Sequence, residues 1–208
     1  NHTPQTRGNH PGIIDFKGKS YCFGLNYDVF RLETDRHAER RSCAAAEMTY
    51  NDDGTIQELP YFLHCKLNQV GSFNPYRRVE AETMAWGFGL RTTRQNPSGP
   101  WNPTLFVTDI DDGEHILVKG VDFANGASRF TASCSALLYG GTIEIRIDSI
   151  EGKLIGKVDV PNTEFKYREL TTPLELVTGK HDLYFVFKGG KQQKKNLFNF
   201  DWWQMTPL

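Results

Sequence analysis

Apolar and polar side chains alternate in short runs along this chain, and turn residues interrupt the runs about every ten positions. Beyond residue 76 the alternating runs fall at residues 114–118, 129–135, 142–148, 154–160, 170–176, 181–188 and 198–205. Asp111-Asp112-Gly113, Gly140-Gly141, Glu151-Gly152, Pro161-Asn162 and Gly189-Gly190 stand between them. Many short strands, regular turns and no convincing amphipathic helix predict an antiparallel β-sandwich over residues 76–208.

Residues 1–75 read differently. A hairpin is predicted from strands at 12–16 and 20–25 around Lys17-Gly18-Lys19, with a third strand at 42–50. The turn Asn51-Asp52-Asp53-Gly54 then leads into a short extended run at 55–59. The charged segment 33–41 fits a solvated loop or a frayed helical turn, and 70–76 a linker. Three or four short strands amount to one blade of a β-propeller, and a lone blade cannot bury its own faces. This part is therefore expected to have missing neighbours.

Candidate chemistry sits in Arg77-Arg78-Val79-Glu80-Ala81-Glu82-Thr83. Alternation over 79–83 predicts a strand with Glu80 and Glu82 on one face. Two such carboxylates are either a solvated strand face or half of an oxygen-rich calcium site. Asp201 lies in the aromatic strand Phe198-Asn199-Phe200-Asp201-Trp202-Trp203. If the last strand of the sandwich pairs with the first, Asp201 comes beside Glu80 and Glu82.

Charge and composition narrow the partners. The 24 basic and 25 acidic residues are interspersed, so no basic field exists to follow a phosphate backbone, and nucleic acid is not expected. No apolar run reaches membrane-spanning length, and no membrane partner is expected. Aromatic residues make up 12% of the chain, which suits a β protein or a sugar binder. The chain starts Asn1-His2-Thr3, as an excised or processed piece would. Cys22, Cys43, Cys65 and Cys134 lack metal-type spacing; a Cys22–Cys43 pair is open to an oxidising compartment, with free buried thiols the alternative.

Two resemblances add to this. The run Gly8-Asn9-His10-Pro11-Gly12-Ile13-Ile14-Asp15-Phe16-Lys17-Gly18-Lys19-Ser20-Tyr21 resembles the last-blade signature of family 43 glycoside hydrolases. Glu39-Arg40-Arg41-Ser42 and Met48-Thr49-Tyr50-Asn51-Asp52-Asp53-Gly54-Thr55-Ile56-Gln57 are similar to its xylan-active members. The resemblance implies a five-bladed propeller that removes arabinose or xylose, with His10 helping to hold a central metal. Without it, a structural or surface role suits a lone His. The family's catalytic carboxylates lie on earlier blades, so no catalytic residue is assigned here and the chain alone is not expected to hydrolyse glycosides.

Val79-Glu80-Ala81-Glu82, residues 118–123, residues 140–148, residues 179–187 and Asn199-Phe200-Asp201-Trp202 together resemble a family 6 carbohydrate-binding module. That implies a jelly-roll sandwich with a structural calcium on Glu80, Glu82 and Asp201. It also implies a xylan-binding cleft between a Tyr and a Trp, with an Asn that corresponds to Asn199. The Tyr position falls on Asp109, and the Trp position on Lys166 with Tyr167 one place further on. A one-residue slip turns a strand side chain to the other face. Trp101, in Pro100-Trp101-Asn102-Pro103, is a substitute platform, a loop anchor or an interdomain contact.

The combined expectation is all-β: the last blade of a five-bladed β-propeller with its linker (1–75), then an antiparallel jelly-roll sandwich (76–208). Such a chain is the C-terminal part of a secreted arabinofuranosidase or β-xylosidase, extracellular or periplasmic. Its partners are arabinoxylan or xylan chains and the remaining catalytic propeller, joined covalently or as a separate chain. The alternatives are a sandwich that buttresses the propeller without binding sugar, favoured by the short linker, or a free-standing carbohydrate-binding protein.

Overall fold

The computed structural model describes residues 10–26, 42–59, 67–68, 70–95 and 104–208. The chain forms two compact units, Asn1–Asn68 and Gln69–Leu208. The seam lies a few residues before the boundary expected from sequence, because part of the predicted linker is built into the second unit. Phe73 makes a parallel bridge with Val121 and stacks on Trp203, and the Tyr76 hydroxyl donates to the carbonyls of Phe123 and Gly126.

The first unit holds an antiparallel sheet in the order β1 (Gly12–Phe16), β2 (Lys19–Asn26), β3 (Ser42–Met48). Lys17 and Gly18 both have positive φ, 52° and 75°, which makes the two-residue turn that follows the right-handed strand twist. In place of a fourth strand at 55–59 there is one bridge, Tyr50 to Ile56, closing the Asn51–Gly54 turn. Ile13 and Ile14 point to opposite faces of β1, yet they are 60% and 51% exposed, so both faces of the sheet are open there. Cys22 stands opposite Ala46 and Cys43 opposite Leu25; the two are out of register, and both thiols are free.

The second unit is a sandwich of two antiparallel sheets. One runs β11 (Leu154–Val160), β10 (Gly141–Ile147), β13 (Lys180–Lys188), β8 (His115–Asp122), β5 (Trp86–Phe88). The other runs β12 (Arg168–Pro173), β9 (Ala127–Ser135), β14 (Asn199–Pro207), β7 (Thr104–Thr108), β6 (Arg91–Gln95), and β4 (Val79–Glu80) pairs with β14 as well. Alternation drives the packing: Ile143, Ile145 and Ile147 of β10 face inward with Leu183, Phe185 and Phe187 of β13. Opposite them lie Phe130 and Trp203, and the rings of Phe130, Phe185 and Trp203 meet at centroid distances of 5.2–6.0 Å. Three fully buried aromatics in mutual contact form the centre of the core.

Among the described residues every regular element is a strand. The runs at 129–135, 142–148, 154–160, 181–188 and 198–205 all correspond to strands of the sandwich.

Candidate functional site

One end of the sandwich carries a cleft of about 480 Å³, formed where β7 and β9 end and β14 begins. Asn199, the first residue of β14, stands opposite Ser135. Its Oδ1 accepts from Thr108 Oγ1 at 2.8 Å and its Nδ2 donates to Ser135 Oγ at 3.3 Å. An amide has two N–H donors and two lone pairs on oxygen, so the held side chain keeps one donor and one acceptor for a ligand.

Three loops wall the cleft, and each is tied down. Thr163, buried, accepts from the Ala136 N–H at 2.9 Å, while the N–H groups of Thr163 and Phe165 both donate to the Ala136 carbonyl at 3.0 Å. Phe165 is thereby set at φ 61° on the cleft rim, where the residue is 61% exposed. Gln193 joins the loop after β9 to its own: its Oε1 accepts from the Tyr139 N–H, and its Nε2 donates to the carbonyls of Lys195 and Asn196. The Asn196 N–H donates to Asp111 Oδ1 at 2.9 Å. Asp109, at φ 55°, lines the cleft and pairs with Arg91 at 3.3 Å.

Of the residues singled out for sugar contact, Asn199 lines this cleft. Tyr167 is not among the lining residues: it is half-buried, its ring edge-on to Phe106 at 6.1 Å. Burial of its hydroxyl pushes the phenol above its ordinary range. Lys166 points out and pairs with Glu164. Trp101 lies outside the described residues. The exposed aromatic on the rim is Phe165, which the sequence reading passed over. Its one signal was position, an aromatic in the turn after Pro161-Asn162-Thr163.

A second polar group gathers where the first strand of the sandwich meets the last. β4 stops at Glu80 and does not run on to Thr83 as the alternation predicted, because the chain turns and the Thr83 N–H donates to the Glu80 carbonyl. Glu80 stands opposite Trp202, and the Ala81 N–H donates to the Asp201 carbonyl at 2.8 Å. Phe200 faces Cys134 and Trp202 faces Ser133, so Asp201 is the extra residue of a β-bulge. A bulge re-aims the side chain it carries.

Arg78 grips the Glu80 carboxylate through Nε at 3.0 Å and Nη2 at 3.2 Å, and its guanidinium lies 5.0 Å from the Trp202 ring centroid. Glu82 Oε2 and Asp201 Oδ1 are buried without a hydrogen-bond partner. Burial raises the Glu82 carboxyl above its usual range, and the charges of Glu80 and Asp201 raise it further. Asp201 is raised by burial too, and by Glu80, against the lowering effect of Arg78. Among the described residues no three His, Cys, Asp or Glu side chains already converge as a metal-ligand group. The donor set is nonetheless all oxygen, with two buried carboxylate oxygens unmatched, a chemistry that suits a hard cation. His10 is exposed and belongs to the first unit.

Comparison with known proteins places these features. The family described as carbohydrate binding module (family 6) matches residues 80–207. An arabinoxylan arabinofuranohydrolase of Bacillus subtilis (strain 168) is 42% identical over 170 residues, which make up 80% of this chain and 32% of that protein. The crystal structure of a glycoside hydrolase family 43 arabinoxylan arabinofuranohydrolase from Bacillus subtilis, in complex with cellotetraose, matches 97% of this chain and 41% of its own, with a TM-score of 0.81 and 38% identity. A family 6 carbohydrate-binding module from Clostridium cellulolyticum, in complex with xylose, matches 64% of this chain and 99% of its own, with a TM-score of 0.58 and 34% identity. The chain spans about a third of the length of the curated relatives it matches.

Proposed function

The chain belongs to the family 6 carbohydrate binding modules through residues 80–207, and from that premise we propose that it is part of a secreted, xylan-degrading glycoside hydrolase whose module holds the polysaccharide. The cleft around Asn199 carries this reading. A pyranose presents a face of C–H groups that packs on an aromatic ring, and Phe165 offers such a ring beside the spare amide donor and acceptor of Asn199. Xylan is favoured as the chain bound because relatives at 34–42% identity are arabinoxylan hydrolases and a xylose-complexed module.

The first unit is read as the closing blade of the catalytic propeller, whose other blades cover Ile13 and Ile14 and bring a central metal to His10. The full enzyme is read as an arabinofuranosidase or β-xylosidase of the inverting type, with its two working carboxylates outside this chain.

Calcium is the proposed cofactor of the second unit, held by Glu80, Glu82 and Asp201. The unmatched oxygens of Glu82 and Asp201 support it. Bound there, the ion offsets carboxylate repulsion and fastens the first strand of the sandwich to the last.

Electrophoresis of the chain through gels with and without arabinoxylan tests the binding role. Retardation in the polysaccharide gel is expected. Unchanged migration leaves the module as a buttress of the catalytic part, a reading favoured by Asp109 where the resembled modules have a Tyr.

A further inference from the structure

The walls of the cleft are more apolar than the reading of sugar hydroxyls requires. Leu137 and Leu138 line it with Phe165, and the three residues are 63%, 56% and 61% exposed. Single exposed leucines are common on protein surfaces, but here two adjacent ones share a cleft with an aromatic and an amide.

Nor is the leucine loop placed by chance. Gly140 has φ 69°, and a Cβ there would lie 1.9 Å from the Val160 carbonyl oxygen, so only glycine fits. The Gln193 and Thr163 hydrogen bonds fix the two sides of the same loop. The apolar wall is held in position before any ligand arrives.

A bare xylose unit gains little from the two leucines. Its hydroxyl groups would lose water against leucine methyls and find no partner there. An ester-linked acyl group has the opposite preference, since it replaces a hydroxyl donor with an apolar group and a carbonyl acceptor. The acyl group suits Leu137 and Leu138, while Lys195, another residue that lines the cleft, carries a donor for its carbonyl.

We propose that this cleft selects O-acylated xylan, seating the pentose against Phe165 and Asn199 and the acyl group against Leu137 and Leu138. The proposal rests on the xylan-binding role given above and names the form of the chain that is bound. Burial of one acetyl methyl corresponds to about a fourfold gain in affinity.

The experiment compares acetylated xylo-oligosaccharides with the same preparation after saponification, by calorimetric titration of the full chain and of the exposed-residue variant Leu137→Ser/Leu138→Ser. The expected result is binding about fourfold or more tighter for the acetylated sugars, with that preference lost in the variant. Equal affinity for both preparations overturns acyl selection and leaves the xylan-binding role intact. Failure of both preparations to bind the unaltered chain overturns both.

Discussion

The Ala81 N–H donates to the Asp201 carbonyl at 2.8 Å, so the first strand of the sandwich ends against the last at the residue that bulges out of the last strand's ladder. The bulge at Asp201 and the turn after Glu80 together decide where three carboxylates go. In a regular ladder Asp201 would alternate with Phe200; the extra residue instead leaves Asp201 and Trp202 both half-buried between the buried Phe200 and Trp203.

Calcium should stabilise the protein at neutral pH. The ionised forms of Glu82 and Asp201 are disfavoured by burial, and a cation removes that cost. At a calcium concentration of about 100 Kd the gain is about 2.7 kcal/mol, or roughly 6–10 °C in Tm. Chelation reverses it. Asp201→Asn should abolish the calcium response and, in chelator, be at least as stable as the unaltered protein, because an unmatched buried charge has been removed. Scanning calorimetry with calcium and with chelator checks both, and a full calcium response in Asp201→Asn contradicts the assignment.

Asp112 sets part of the acid limb of stability. The Lys194 ammonium at 2.7 Å, and next the Gly189 N–H, hold its carboxyl below the usual range. A carboxyl depressed in the folded state contributes stability above its unfolded value, and loses it as pH falls through the folded value. Urea midpoints should therefore show Asp112→Asn less stable than the unaltered chain at pH 7, with the two converging in strong acid. A gap that persists in acid would mean that the side chain acts by packing and not by charge.

Gly140→Ala should cost about 1–3 kcal/mol in denaturant unfolding. Positive φ and the Val160 carbonyl both oppose a methyl there. A variant with unchanged midpoint would show that the loop before β10 yields freely.

Strands that face one core were legible in the sequence, because inward residues at every second position leave an alternating record, as Ile143, Ile145 and Ile147 do. Pairing of the last strand with the first was legible too. Three strands were not. β5 spans three residues, and Arg91-Thr92-Thr93-Arg94-Gln95 of β6 is an edge strand with polar side chains on both faces. β7, Thr104–Thr108, begins beside a Pro-rich segment that reads as loop. Phe165 escaped for a different reason: its side chain is displayed by positive φ, which a non-glycine aromatic rarely adopts and which no periodicity records. Tyr167, two residues on, looked the better candidate from sequence and packs against Phe106 instead.

Titration of xylohexaose into the full chain, beside Asn199→Ala and Phe165→Ala, tests the cleft most directly. Loss of a ring contact or of a hydrogen-bonding amide removes about 1–1.5 kcal/mol, so each variant should bind about tenfold more weakly, with Tm little changed in Phe165→Ala and lowered in Asn199→Ala, where Thr108 and the buried Ser135 lose their partner. Saturable binding by the unaltered chain, weakened in both variants, is the predicted result. Binding that neither substitution alters, or no binding by the unaltered chain, would contradict it.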